Sequence, residues 1–151
     1  MLPIFVRILF SILSVSYIGA IFVLAESPVA KTLSEFNPYS LLHIPLYGIM
    51  TFLLVFSIVP IPQGFKVGSI QLGSDSARSR SRDTVGLKFR LFIAGAIALA
   101  VGILDEVHQL YVPGRDGSAG DVVLDLVGIA LVLVLSFVLF KTRVFNKPVN
   151  H

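Results

Sequence analysis

Four stretches of the chain are apolar over nearly the length a membrane-crossing helix needs, about 20 residues. They are residues 8–25, 41–59, 91–112 and 122–140. The first contains no charge, and the second is interrupted by His43 alone. The third is charge-free only over the 14 residues from Leu91 to Leu104. It spans a bilayer only if Asp105 to Gln109 lie inside the membrane. The fourth carries Asp125 within its apolar run. The pattern predicts an all-α, polytopic bundle of four transmembrane helices, one domain over residues 1–151. A cleaved signal peptide competes for the first stretch, since Arg7 precedes it and Val23-Leu24-Ala25 ends it. An apolar run of 18 residues is long for a signal core, and its removal disturbs the charge pattern described below.

Helical spacing sorts the polar residues onto faces, at about 100° per residue. With Asp105 as origin, His108 lies near −60°, Gln109 near +40° and Glu106 near +100°, angles taken from about 100° per residue. Gly102, Ala98, Gly95 and Ala94 continue the same arc. Small residues let membrane helices approach closely, so this face is expected to point into the bundle and to carry the polar group with it. In the fourth helix Asp121, Asp125 and Gly128 form one stripe. In the second, His43, Tyr47 and Thr51 do the same, with Ser40 as a candidate N-cap and Pro45 in the first turn. Asp105 and Asp125 come out at similar depths, ~10 Å and ~8 Å from the same membrane face at ~1.5 Å per residue. The connection 113–120, Pro-Gly-Arg-Asp-Gly-Ser-Ala-Gly, is turn-forming and carries Arg115 over the same spot.

Composition agrees with a lipid environment. Hydrophobic residues make up 55% of the chain and charged residues 14%, against about 25% charged in soluble domains. The absence of cysteine excludes disulfides, thiolate metal sites and thiol nucleophiles. The 12 basic residues divide unevenly. Arg7, Lys66, Arg78, Arg80, Arg82, Lys88, Arg90, Lys141, Arg143 and Lys147 fall on one side of a four-span arrangement, Lys31 and Arg115 on the other. Positive residues stay in the cytoplasm. Both termini and the long loop 60–88 are therefore expected inside a cell membrane, and the loops 26–40 and 113–120 outside. The low-complexity core of the long loop, Ser74 to Asp83, reads as mobile. Basic Ser/Arg runs also bind RNA or anionic lipid. A topology signal accounts for this one, and nucleic acid is not among the expected partners.

Each ionised carboxylate at a helix centre costs roughly 2.5–3.5 kcal/mol on insertion scales. Arg115 is therefore expected to pair with one acid, and His43 or His108 with another. His43, Asp105, Glu106, His108, Gln109, Asp121 and Asp125 are the candidate catalytic residues, offering general acid–base chemistry. The bland alternative is a polar latch that sets helix register.

Residues 104–128 resemble the signature of the VanZ-like family. The matching residues are Glu106, Gln109, Pro113, Gly114, Arg115, Asp121, Val122, Asp125 and Gly128, with His43 and Tyr47 resembling a His and Tyr of an earlier helix. A family glycine is replaced by Leu131 or Val132, and the long loop is more basic than the pattern. The resemblance implies a small envelope membrane protein associated with glycopeptide (teicoplanin) susceptibility, hence with antibiotic resistance. Arg115, Glu106, Gln109, Asp121, His43 and Tyr47 are the expected ligand-binding set, facing a lipid-linked or cell-wall component at the bilayer surface. No cofactor is implied and no metal site is assigned. A divalent ion among His43, Asp105, Glu106, Asp121 and Asp125 is chemically open, since hard oxygen ligands suit magnesium or calcium.

Two other function classes compete. One is a metal-dependent membrane enzyme acting on a lipid-linked substrate. Gly117-x3-Asp121-x3-Asp125 matches half of the CDP-alcohol phosphotransferase motif, but Val107-His108 stands where that motif has Ala-Arg. The other is a small proton-coupled transporter, which needs a site near the midplane. The first helix carries no acid, and the acids present lie toward one edge.

Overall fold

The computed structural model describes residues 4–28, 32, 41–60 and 74–145, with side chains described only from 84 to 141 in the last stretch. Four helices account for nearly all of it: α1 (Ile4–Ala25), α2 (His43–Ile58), α3 (Ser74–Gln109) and α4 (Ala119–Phe145). Three helical segments are long and apolar enough to cross a membrane, Ile4–Ala25, Thr84–Gln109 and Ala119–Lys141. Helix α2 is apolar but has 16 residues, about 24 Å at 1.5 Å per residue, against a hydrocarbon core of about 30 Å.

Helix α2 is the centre of the packing and touches the other three. Tyr47, Gly48, Met50, Thr51, Leu54 and Val55 are buried along it. The small-residue face of α3 meets this core, with Ala94 and Ala98 fully buried beside Val101 and Leu91. Ile129 joins it from α4 and Ile21 from α1. The closest approach is between α2 and α4. A Cβ at Gly128 would run into the Ile44 carbonyl oxygen, so only glycine lets the two backbones meet there. Large apolar side chains cover the outside, among them Phe5, Val15, Val23, Phe92, Leu131 and Val134. That inversion is normal where the surrounding solvent is lipid.

Several boundaries differ from the sequence pattern. Helix α3 starts at Ser74, so the Ser/Arg stretch 74–83 is helical where the pattern predicts a mobile loop. No glycine or proline interrupts Ser74 to Val85, and arginine is a good helix former. Residues 61–73 of the predicted loop, Lys66 among them, lie outside the described residues. Helix α3 ends at Gln109 rather than near Val112. The next turn tightens, with Tyr111 N–H donating to the His108 carbonyl at 2.9 Å and Val112 N–H to that of Gln109 at 3.1 Å. Pro113 disfavours helical backbone at Val112 and stops it. Helix α4 begins at Ala119, earlier than 122, and runs past 140 to Phe145. Leu42 stands at the N-cap of α2 with no side-chain cap; Ser40, expected there, lies outside the described residues.

Candidate functional site

The N-terminus of α2, the C-terminus of α3 and the N-terminus of α4 lie at one end of the bundle and bring their polar residues together. Tyr47 and Asp125 have no exposed surface, while Asp105, Glu106 and Gln109 retain 3%, 6% and 2%. The side chains of His43 and Asp121 keep 12% and 17%, so these two form the opening to the outside.

Two hydrogen-bonded series run through the cluster. In the first, Arg115 Nη2 donates to Gln109 Oε1 at 2.8 Å. Gln109 Nε2 donates in turn to Asp105 Oδ2 at 3.0 Å. Tyr47 Oη donates to the same oxygen at 3.3 Å. The pairing of Gln109 with Asp105 is an i, i+4 contact on one helix face. In the second series, His43 Nδ1 lies 2.8 Å from Asp125 Oδ1. With Asp125 ionised the carboxylate accepts only, and Nδ1 then carries the proton and donates. Nε2 then presents its lone pair on the other edge of the ring, with Asp121 Oδ2 at 3.8 Å. That separation is too long for a hydrogen bond. Glu106 closes the arrangement from α3: its Oε2 accepts the Ser118 backbone N–H at 2.7 Å.

These contacts depend on local sequence. Ser118 precedes α4, and its hydroxyl accepts the Gly120 N–H at 3.1 Å, a helix N-cap. Its own N–H is thereby turned toward α3. Gly102 lines the floor: a Cβ there would sit 2.8 Å from Asp125 Oδ2 and 3.3 Å from Tyr47 Cε1. The Tyr47 ring also stacks nearly parallel to His43, at 4° and 6.1 Å between centroids, and this limits how the imidazole turns.

The structure thus gathers His43, Tyr47, Asp105, Glu106, Gln109, Arg115, Asp121 and Asp125 into one cluster. One expectation needs correction. His108 faces away, with Nε2 3.2 Å from Glu26 Oε1 at the end of α1 and its ring edge-on to Phe22. Being three residues from Asp105, it falls on the α1 side of α3. Arg115 donates to the Gln109 amide oxygen, and the same amide donates to Asp105. Ser118 and Glu26 were not legible as participants. For Ser118 the signal was present, a serine directly before an apolar run and three residues before Asp121.

Chemically, the cluster pairs an oriented imidazole with carboxylates whose charge is only partly offset. Asp105 Oδ1 and Asp125 Oδ2 are buried without a hydrogen-bond partner. Among the described residues, His43, Glu106 and Asp121 each place one ligand atom within 4.8 Å of the others, as metal ligands do. Compared with family models, with curated proteins and with solved structures, the chain matches none.

Proposed function

We propose that this chain is a four-span protein of the cell envelope whose outward-facing polar pocket binds or modifies a cell-surface component with a polar head and an apolar anchor. In this reading α2 crosses the bilayer with the three longer helices that surround it, and both termini are cytoplasmic. The observation that carries the proposal is the His43–Asp125 pair, 2.8 Å apart and set beside Glu106 and Asp121 at one end of the bundle. Asp125 orients the ring, and Nε2 offers its lone pair to whatever enters past Asp121. Arg115, in the turn above, supplies positive charge for an anionic headgroup. The similarity of residues 104–128 to the VanZ-like signature supports an effect on glycopeptide susceptibility.

The test separates pocket from latch. Arg115→Ala, Glu106→Gln and Asp121→Asn are expected to accumulate in membranes at near-normal levels. The same variants are expected to lose a glycopeptide-tolerance phenotype measured in the same cells. A phenotype that merely follows protein level across the three variants overturns the proposal and leaves a register latch. Orientation is read by labelling an Asp116→Cys variant, since Asp116 is exposed and the chain has no cysteine. Labelling of intact cells is expected; labelling only after permeabilisation places the pocket on the wrong side.

A further inference from the structure

We infer that His43 Nε2, Glu106 and Asp121 bind one divalent transition cation of the zinc or manganese class. Asp125 and the Ser118 amide act as the groups that orient two of the three ligands. The inference rests on reading this cluster as the functional site and names what the site holds.

Geometry is the first support. The three ligand atoms come from three helices and already lie within 4.8 Å of one another. Ligands bound about 2.0–2.2 Å from zinc stand ~3–4 Å apart. The backing of the ligands is the second support. A metal-bound histidine ordinarily donates its other ring N–H to a carboxylate. His43 does this through Nδ1 to Asp125 at 2.8 Å. Nε2 remains turned toward Asp121 at a separation that makes no hydrogen bond. Glu106 is steadied likewise, with Oε2 on the Ser118 N–H at 2.7 Å.

Charge supplies the third and independent argument. Asp105, Glu106, Asp121 and Asp125 face one another with the guanidinium of Arg115 and the neutral imidazole of His43 among them. Two carboxylate oxygens of this group, Asp105 Oδ1 and Asp125 Oδ2, are buried without a partner in residues that are 3% and 0% exposed. Buried carboxylates are tolerated when paired or when they neutralise a metal. A divalent cation between Nε2, Glu106 and Asp121 offsets the surplus at its centre. One imidazole nitrogen with two carboxylates is too nitrogen-rich for magnesium or calcium sites built on oxygen alone. With no thiolate in the chain, it fits zinc or manganese. Three protein ligands leave a position for water or a substrate oxygen, the pattern of catalytic rather than structural sites.

The test uses the full chain without an affinity tag, purified in detergent, stripped with a chelator and titrated separately with Zn2+ and Mn2+. One ion per chain is expected by elemental analysis after desalting, and the stronger of the two titrations identifies the metal. In wild-type protein loaded with Mn2+, pulsed electron resonance is expected to show nitrogen coupling from an imidazole, a readout that needs no variant to fold. His43→Ala and Asp121→Asn are expected to lose the ion, and Asp125→Asn to weaken it by about 10–100-fold, as outer-shell partners do. His108→Ala is expected to bind as wild type does. Stoichiometry far below one per chain for both ions overturns the inference, as does binding that survives His43→Ala. If neither ion binds while Arg115→Ala still separates phenotype from abundance, the metal fails and the pocket stands. An ion bound as expected, with phenotype following abundance, overturns the pocket reading alone.

Discussion

The two ends of the bundle handle charge in opposite ways. At one end stand Arg7, Lys88, Arg90 and Lys141. Arg7 Nε donates to the Ser57 carbonyl at 3.2 Å and Arg90 Nη1 to that of Ile58 at 3.1 Å, so both guanidinium groups occupy the open C-terminus of α2. The last turn of a helix leaves carbonyls unpaired and negative, and cations there are favourable. Lys88 and Lys141 place their ammonium groups 5.9 Å and 5.8 Å from the Phe137 ring centroid. Long basic side chains reach out along an apolar surface and keep their charge near water. At the other end the acids are short. Asp105 and Asp125 cannot reach out, and the fold buries them 3% and 0% exposed. The basic end is thus inexpensive and suits an anchor, whereas the acidic end is retained against a standing energetic cost. The proposed pocket puts that cost to use, as ionisable groups within membrane segments commonly do.

Breaking a pair at each end tests that contrast. The largest effect is expected from Asp125→Ala, which leaves His43 without its partner and opens a gap beneath Tyr47. Removing one member of a buried pair costs about 3–5 kcal/mol. Thermal unfolding in detergent is expected to show a clear loss, and a double-mutant cycle with His43→Ala a large coupling. A loss no greater than that of a basic-end variant would erase the distinction between the ends. A smaller effect is expected from Gly102→Ala. Its Cβ would stand 2.8 Å from Asp125 Oδ2, in a carboxylate whose other oxygen is bonded to His43, and overpacking of this kind costs about 1–3 kcal/mol. A cysteine in place of His108, outside the cluster, is expected to leave stability nearer wild type than Gly102→Ala does, measured in the same way. The smallest effect belongs to Arg90→Gln, expected to cost under about 1 kcal/mol, as exposed charge contacts do. A larger loss there would show that capping of α2 holds the bundle together as firmly as the acidic cluster.

Much of this architecture follows from the sequence because it is a matter of one helix at a time. Apolar length locates the helices, and spacing of about 3.6 residues per turn puts Ala94, Ala98, Gly102 and Asp105 on one face of α3. The same arithmetic aligns His43 with Tyr47 and Asp121 with Asp125, and connection by a short turn sets α3 and α4 side by side. These residues converge in space because the fold preserves each stripe. The beginning of α3 at Ser74 is a different matter. Arginine and serine in alternation carry no apolar period, and the continuity of the helix into polar ground has no signature in hydropathy.

What the chain alone left open was the choice of partner. Periodicity fixes an angle around a helix axis, but not how far one helix is rotated or raised against the next. Those quantities come from the packing of backbones, above all where Gly128 lets α4 close on Ile44 of α2. That approach decides that His43 meets Asp125 and leaves Nε2 for Asp121. The turn after Gln109 decides that Arg115 reaches an amide, and the angle of His108 sends it to Glu26 on α1. A hydrogen bond is made or lost over a few tenths of an ångström. Sequence spacing resolves position to about a turn of helix, so most members of the cluster were readable from the residues, while Ser118, the place of His108 and the wiring came only from the packed structure.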